Sequence, residues 1–365
     1  MKNHISLFIF AIALLSGPVS ANDLSMTAVK DTLASIPGEH NYIYVRTPLG
    51  EDEEKNYDEI TFYDGLGREL DFAQSYGADR AGAIMAHHHL IEYDSLGRKE
   101  KQWLSTNTSF SYMSPEDLKG GVLWDYHDAG KRSYLQTNYE SSPLNRITEQ
   151  YGVGDAWGDH PARMEYLTNI PADSLRCSFY FIDDNDSLIR RGDYRSGELQ
   201  VTKATDEDGK PTYTFVDKQG RTLLTRLGRG NQQADTYFVF DRFGRIRYVL
   251  PPMINDEISA GNLDLYAYQY LYDSFGRCIS KKLPGCAAIG YVYDKADRVI
   301  LSQNGNQSQK KEWTFTFYDN QGRLALTGLC SFNDPPSLDN SIVRAYRTTS
   351  EKDGVLHSGY EVEHF

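Results

Sequence analysis

The residues of this sequence that could do chemistry are carboxylates and histidines, and the most metal-like group is a run of three histidines. His87, His88 and His89 could bind zinc, since imidazole is a common zinc ligand. Successive residues of a strand point to opposite faces, so only His87 and His89 would share one face. The spacing places no further ligand beside them. We therefore interpret the cluster as structural or solvent-exposed and predict no metal site.

An acidic run, residues 183–187, resembles the start of a calcium-binding loop. An EF-hand loop has Gly at its sixth position and Glu at its twelfth, whereas Leu188 and Tyr194 stand there. We predict an acidic turn, with weak surface calcium binding as the alternative. The sequence contains no Gly-x-Ser-x-Gly, no phosphate-binding loop and no dinucleotide fingerprint. We therefore predict no cofactor and no catalytic residue.

Many of the remaining carboxylates belong to a motif written seven times. An aromatic or β-branched residue precedes Asp, two free positions, Gly or Asp, and then Arg. The last five copies follow one another at spacings of 21 to 32 residues, which indicates a repeat architecture. We interpret the seven aspartates as structural residues of turns and not as catalytic carboxylates. An enzyme with an unrecognised carboxylate site is the third of our hypotheses about function, after the two given below. The predicted turn residues are Asp64, Gly67, Arg68, Asp94, Gly97, Arg98, Asp217, Gly220, Arg221, Asp241, Gly244, Arg245, Asp273, Gly276, Arg277, Asp294, Asp297, Arg298, Asp319, Gly322 and Arg323.

Each copy joins two β-prone runs, so the motif predicts a hairpin turn. The Asp carboxylate can accept hydrogen bonds from backbone amides two residues on, and the Gly suits a left-handed backbone. Asp297 replaces Gly in the sixth copy, and Asp is one of the few residues that tolerate this conformation. We also predict that each Arg packs across the preceding aromatic residue and Asp of its own copy, in a charge-assisted and cation–π contact.

The sequence as a whole predicts an all-β fold of antiparallel β-hairpin repeats in one ribbon that curls on itself. Tyrosine contributes 26 of the 46 aromatic residues and suits a sheet surface that is half packed and half wet. Residues 41–47 are expected to form a first strand, and residues 342–347 and 359–363 are candidate strands near the end. No long amphipathic helix is predicted. Open sheet edges would favour self-association or a partner.

Residues 1–21 are typical of a secretory signal peptide. Lys2 gives a short positive region, residues 5–15 are apolar, and residues 19–21 (Val-Ser-Ala) are small at the cleavage position. We predict export to the periplasm, cell surface or exterior, a mature chain starting near Asn22, and no membrane span after cleavage. A net charge of −13 without a basic block makes nucleic acid an unexpected partner.

The four cysteines allow three disulfide pairings in an oxidising compartment. Cys278 and Cys286 flank a turn and could face each other. We favour small hydrophobic residues in a sheet for all four, Cys177 and Cys330 included. Exposed tryptophans on a secreted sheet could instead stack on sugars, which makes a surface carbohydrate- or protein-binding module the second hypothesis. The candidates are Trp103, Trp124, Trp157 and Trp313.

The repeated Tyr-Asp-x-x-Gly-Arg is similar to the YD repeat of the bacterial secreted RHS proteins. Further segments match that family in order: residues 142–146 (Ser-Pro-Leu-Asn-Arg), 149–157, 245–252 (Arg-Ile-Arg-Tyr-Val-Leu-Pro-Pro), 282–285 (Lys-Leu-Pro-Gly), 293–298 and 313–319. The resemblance covers about residues 41–330. In that family, YD repeats form a ribbon that spirals into a hollow shell, which commonly encloses a C-terminal toxin.

The resemblance implies a signal peptide (1–21), an N-terminal RHS-associated β domain (22–170), a YD-repeat hairpin region (171–330) and a C-terminal tail (331–365). The family's self-cleaving core motif is absent from this sequence. The implied function is a non-enzymatic exported scaffold, an N-terminal shell segment that encloses or presents a C-terminal effector. Expected partners are downstream RHS repeats or an effector in another chain, or alternatively a glycan or a surface protein.

Overall fold

A computed structural model describes residues 40–49, 56–75, 85–127, 130–228, 233–254, 256–331, 333–334, 337, 341–352 and 355–364. The predicted signal peptide, including the predicted start of the mature chain at Asn22, lies outside the described residues. The chain forms two compact units, residues 1–165 with 204–209 and residues 166–203 with 210–365.

The first unit is a set of antiparallel hairpins. Strand β1 pairs with β2, β2 with β3, and β3 with β4, while β4 also pairs with β5 and β6. Strands β5, β7, β8 and β9 continue the pairing in that order. The strands are β1 (Asn41–Pro48), β2 (Asn56–Tyr63), β3 (Glu69–Ser75), β4 (Met85–Tyr93), β5 (Lys99–Trp103), β6 (Thr106–Ser109), β7 (Tyr134–Tyr139), β8 (Ile147–Tyr151) and β9 (Ala162–Thr168).

In the second unit, consecutive strands pair antiparallel from β13 to β22. Strands β10 and β11 form a separate hairpin, and β23 pairs with β24 and, in parallel at one position, with β21. The strands are β10 (Ser178–Ile182), β11 (Leu188–Asp193), β12 (Gln200–Thr205), β13 (Pro211–Val216), β14 (Thr222–Leu227), β15 (Ala234–Phe240), β16 (Ile246–Leu250), β17 (Tyr268–Tyr272), β18 (Cys278–Lys282), β19 (Ile289–Tyr293), β20 (Val299–Gln303), β21 (Glu312–Tyr318), β22 (Leu324–Ser331), β23 (Val343–Lys352) and β24 (Val355–His364).

The predicted all-β class and the antiparallel hairpins are confirmed, and all seven motif copies lie at hairpin turns. Every motif hairpin also has a one-residue shift in register beside the motif's first residue, for example between Val239 and Phe240. Such a bulge bends the strand and redirects the side chain next to it. The same device therefore positions the motif residue in every repeat.

The described residues also contain three short helices that the strand patterns did not indicate: α1 (Pro115–Asp125), α2 (Ala260–Tyr266) and α3 (Gly305–Lys310). Helix α1 begins after Ser114, whose hydroxyl accepts a hydrogen bond from the Asp117 amide at 3.2 Å, and a proline opens its first turn. It buries only Leu118 and Val122. No described helix is long and apolar enough to cross a membrane.

Each unit has its own apolar core. In the first unit the core contains Ile60, Phe62, Ala73, Ala86 and Phe110. In the second unit one cluster is built from strands β13 to β16 and the β10–β11 hairpin, and another lies around Trp313. The largest members of these two clusters are Tyr180, Tyr213, Phe215, Tyr237, Leu224 and Leu250 in the first and Ile300, Leu301 and Trp313 in the second.

Candidate functional site

The seven motif turns share one hydrogen-bond pattern. The Asp amide donates to the Arg carbonyl at 2.8–3.0 Å, and the amide of the Gly or Asp at the fifth motif position donates to the Asp carbonyl at 3.0–3.1 Å. One oxygen of the Asp carboxylate accepts the amides two and four residues on, and the other accepts the Arg Nε at 2.7–3.0 Å. All 21 motif residues therefore lie in hairpin turns.

The pKa is lowered at six of the motif carboxylates, those of Asp64, Asp94, Asp217, Asp241, Asp273 and Asp319. At Asp241, burial alone would raise the pKa, but the backbone amide and guanidinium of Arg245 outweigh burial and lower it. At Asp64, the backbone amide of Arg68 is the largest influence and also lowers the pKa. A general acid needs a raised pKa, so this arrangement favours structural ion pairs over acid catalysis.

The predicted partner of the arginine was wrong in one respect. Each guanidinium bonds the Asp of its own copy, but six of the seven cover a ring of the next hairpin along the chain, and Arg245 and Arg277 also lie over Phe243 and Phe275 of their own turns. The distances from guanidinium carbon to ring centroid are 4.5–5.1 Å. We call these six contacts the arginine ladder: Arg68–Tyr93, Arg98–Tyr139, Arg221–Phe240, Arg245–Tyr272, Arg277–Tyr293 and Arg298–Tyr318.

The tyrosine hydroxyl adds a second bond between successive hairpins. It donates to the carbonyl of the residue that follows the repeat arginine, as in Tyr272 to Ile246 at 2.9 Å and Tyr93 to Glu69 at 2.7 Å. Tyr139, Tyr293 and Tyr318 make the equivalent bond at 3.0, 2.9 and 3.5 Å. This bond gives a physical reason for tyrosine over phenylalanine, because the ring packs while the hydroxyl satisfies a backbone acceptor.

The ladder coincides with a fixed strand register. At each of the six junctions, the residue three positions after the arginine lies opposite the residue three positions before the covered ring. The pairs are Asp71–Leu90, Lys101–Gln136, Leu224–Tyr237, Tyr248–Gln269, Ser280–Gly290 and Leu301–Phe315. Because loop lengths between the hairpins differ, the loops do not impose this register. The arginine–ring contact therefore marks where neighbouring hairpins align.

In four of the turns, those of Gly97, Gly244, Gly276 and Asp297, the left-handed position lies against the arginine of the preceding hairpin. A Cβ added to Gly97 would approach Arg68 Nη1 to 2.8 Å. In the sixth copy Asp297 has φ +57°, and its carboxylate bonds Arg277 Nη1 at 3.2 Å. The substitution of Gly by Asp thus meets the backbone requirement, as predicted, and also gains an ion pair.

Two further turns belong to the same class although they lack the full motif, and one of them is the acidic turn predicted at residues 183–187. Asp183 bonds the amides of Asn185 and Ser187, and Asp186 takes the left-handed position with φ +64°. The run that we considered as a calcium loop is therefore a hairpin turn with Ser in place of Arg. Asp186 also pairs with the buried Arg247, with 2.7 Å between Oδ2 and Nη2.

In the second of these turns, two residues share the roles of the motif Asp. Ser142 accepts the Leu144 amide at 3.2 Å, and Glu140 binds Arg146 through both carboxylate oxygens at 2.7–2.8 Å. Arg146 and Ser142 lower the pKa of Glu140 to about 2. The preceding Tyr139 is the ring of the ladder that Arg98 covers.

The histidine cluster does not form a metal site among the described residues, where no three His, Cys, Asp or Glu side chains come together as ligands. His87 and His89 share one face of β4, as expected for a strand. His88 is buried on the other face, where Nδ1 contacts Asp71 Oδ2 at 2.7 Å and Nε2 contacts the Ser109 carbonyl at 3.0 Å. His88 therefore links three strands of the first unit.

The four tryptophans divide into two packed and two exposed side chains. Trp103 donates to Glu92 at 2.8 Å and contacts Tyr134, and Trp313 is buried in the core. Trp124 is 83% exposed and Trp157 is 45% exposed. Trp157 borders a cleft of about 370 Å³. A larger cleft of about 620 Å³ in the second unit is lined mainly by aromatic residues.

All four cysteines are free thiols. Cys177 is buried, and burial raises the pKa of its thiol to about 12. Cys286 is exposed, and Cys278 and Cys330 are partly buried. The pairing of Cys278 with Cys286, one of the two readings of the sequence, is not present.

Residues 41–168 match a family model described as a domain of unknown function (DUF6443). Two solved structures are similar over most of the chain, "Crystal Structure of TcdB2-TccC3" (13% identity, TM-score 0.53) and "Crystal Structure of TcdB2-TccC3-Cdc42" (14% identity, TM-score 0.53). They cover 86% and 83% of this chain. The resemblance to RHS/YD-repeat proteins is confirmed.

At identities this low, the likeness to the solved structures concerns the fold. The chain corresponds to 14% of the length of either TcdB2-TccC3 chain. No curated protein has a significant match to this sequence. The YD-repeat fold is thus established, whereas the activity and partners of this chain are matters of proposal.

Proposed function

We propose that the chain is a non-enzymatic exported scaffold, the N-terminal segment of an RHS/YD-repeat shell that encloses or presents a C-terminal effector. The observation that carries this proposal is the use of every motif carboxylate in its own turn, with six of the seven arginines directed to the next hairpin. Asp and Arg side chains that are engaged in these structural contacts can extend a sheet by any number of repeats, since each repeat supplies the arginine that contacts the next one.

Export is part of the proposal and depends on residues 1–21, whose sequence is typical of a signal peptide. The partners that fit are chains with further YD repeats or an effector. The test is co-expression with a chain that carries further YD repeats and an effector, sought among the neighbouring genes, followed by limited proteolysis of the effector. We expect the effector to be protected only in the presence of this chain.

A matched variant separates scaffolding from catalysis. Arg245→Ala with Arg277→Ala removes two steps of the arginine ladder and should abolish protection of the effector. Asp241→Asn should lower the melting temperature, because the neutral amide no longer forms the ion pair with Arg245. An effector that is neither bound nor protected would refute the scaffold. Turnover of a substrate, lost in Asp241→Asn at unchanged melting temperature, would establish an enzyme instead.

A glycan-binding module is the second candidate, and the exposed Trp157 beside a cleft favours it. Aromatic faces pack well against the apolar faces of sugars. Binding of the purified chain to a glycan array, lost in Trp157→Ala but retained in Trp124→Ala, would support this function. Equal binding by both variants would contradict the Trp157 site.

A further inference from the structure

Arg323 is the only arginine of the seven motif copies whose side chain is largely exposed among the described residues. It is 72% exposed, whereas the other six are 12–32% exposed. Its turn is fully formed, with Nε on Asp319 Oδ2 at 2.8 Å. Each of the other six arginines covers the ring of the next hairpin, but within the described part of the chain no ring lies over Arg323.

The strand that follows Arg323 has an open edge as well. Strand β22 pairs with β21 on one side, and no described strand pairs with its other side. At the six junctions of the ladder, the strand after the arginine always pairs with the next hairpin. Leu324 and Leu329 on β22 are 63% and 65% exposed. An open strand edge with exposed apolar side chains is a template for another strand.

We propose that the open edge of β22 binds an antiparallel β-hairpin of a partner polypeptide, with a tyrosine of that hairpin under the Arg323 guanidinium. This inference rests on the proposed scaffold function. In the arginine ladder the tyrosine hydroxyl donates to the carbonyl of the residue after the repeat arginine, so here it would donate to the Leu324 carbonyl. The residue three positions before that tyrosine lies opposite Leu326.

The occupant is a partner hairpin and not a second copy of this chain. Five of the six rings at the motif position, and the equivalent Tyr139 of the Glu140 turn, already lie under an arginine of the same chain. The remaining one, Tyr63, is on β2, and both edges of β2 are paired, with β1 and β3. Among the described hairpins, a second copy therefore offers no free ring at the motif position on a free strand edge.

The chain itself provides a probe, the hairpin of residues 289–303, which contains Tyr293 and no cysteine. In the chain this hairpin follows Arg277, and Gly290 lies opposite Ser280. A backbone-cyclised peptide of this segment, labelled with a fluorophore, is titrated into the full wild-type chain and followed by anisotropy. Cyclisation limits the entropy lost on binding. We expect saturable binding.

The decisive variants act on the two sides of the cation–π contact. We expect Arg323→Ala in the protein, or Tyr293→Leu in the peptide, to weaken binding about fivefold, as a contact of about 1 kcal/mol requires. The control is Arg242→Ala, an exposed arginine outside the ladder, which should leave binding unchanged. Binding that is insensitive to Arg323→Ala would overturn the proposal.

Register is tested by disulfide trapping. Leu326→Cys is introduced with Cys286→Ser, because Cys286 is an exposed thiol. The peptide Gly290→Cys should cross-link faster than the peptide Tyr291→Cys, since adjacent residues of a strand point to opposite faces. Equal trapping of the two peptides, or self-linking of the protein that outpaces both, would overturn the proposal.

The two proposals fail separately. If the peptide does not bind but the effector is still protected, the proposal of hairpin binding at the β22 edge is wrong and the proposed scaffold function is retained. If the peptide binds in the expected register while the effector is not protected, the edge stands as a hairpin-binding surface and the shell function fails.

Discussion

The arginine ladder predicts that chemically identical substitutions at two repeat arginines have different costs. Arg245 binds Asp241 at 2.7 Å, lies 4.8 Å from the centroid of Tyr272 and is one-quarter exposed. Arg323 makes the same bond to Asp319 but covers no ring of the described residues and is largely exposed. Arg245→Ala and Arg323→Ala therefore form a pair that differs in the contact to the next hairpin and in the contact of Arg245 with Phe243 of its own turn, 4.8 Å from the ring centroid.

The free energy of unfolding that Arg245→Ala should lose is worked out from its hydrogen bond to Asp241 and its cation–π contact with Tyr272. A hydrogen bond to a charged group contributes about 1.5–3 kcal/mol, and a partly buried cation–π contact about 1 kcal/mol. Asp241 keeps the amide bonds of Phe243 and residue 245 at 2.9 Å, so the lower part of this range applies. We expect a loss of about 2–3 kcal/mol, which lowers the melting temperature by about 5–10 °C. Arg323→Ala should cause no measurable shift, because exposed ion pairs contribute little.

The assay is urea and thermal unfolding of the full chain, followed by circular dichroism. A double-mutant cycle of Arg245→Ala with Tyr272→Leu isolates the contact between hairpins and should give a coupling free energy of about 0.5–1 kcal/mol. Equal losses for Arg245→Ala and Arg323→Ala, together with zero coupling to Tyr272, would refute the ladder. The arginines would then stabilise only their own turns.

Four further outcomes are expected. Gly244→Val should cost about 1–2 kcal/mol in urea unfolding because φ is +79°, and Gly244→Asn should cost less, since Asn tolerates this region. Glu140, whose pKa is lowered to about 2, should add to the free energy of unfolding fully above about pH 4.5, and this contribution should disappear as the pH falls towards 2. A difference in the free energy of unfolding between wild type and Glu140→Gln that stays constant over this pH range would contradict the prediction. His88→Leu should lower the free energy of urea unfolding by about 3 kcal/mol, because the buried Asp71 loses its histidine partner. An unchanged midpoint would show that the contact between His88 and Asp71 does not stabilise the fold. At pH 8, a thiol reagent should modify Cys286 rapidly and Cys177 only after unfolding, and equal rates would contradict the burial of Cys177.

The local part of the repeat was predictable because all of its contacts lie within six residues. Asp241, Gly244 and Arg245 are close in sequence, and their backbone requirements alone specify the turn. The ring under each arginine was not predictable in the same way, since it lies 16 to 41 residues further along the chain and nothing local indicates which ring is covered. The preceding aromatic residue was the nearest choice, and it was wrong.

The two turns without the full motif and helix α1 show where pattern reading fails. At Asp183 the arginine is replaced by Ser187, and the Glu140 turn divides the function of one Asp between two residues. The hydrogen bonds of the turn can be made by these other residues, but a motif defined by fixed residue types does not match them. The cap of α1 at Ser114, followed by Pro and two acidic residues, was a usable signal. It was missed because the helix has a weak apolar periodicity.

The sequence by itself determined the turns, the all-β class and the family resemblance, because an Asp carboxylate and a left-handed Gly act on backbone atoms a few residues away. Only the tertiary structure decided which hairpins touch, in what register, and which arginine is left without a ring. Those contacts join residues from separate hairpins, and their geometry depends on how strands align. Arg323 and Arg277 have the same motif, and only their neighbours in space distinguish them.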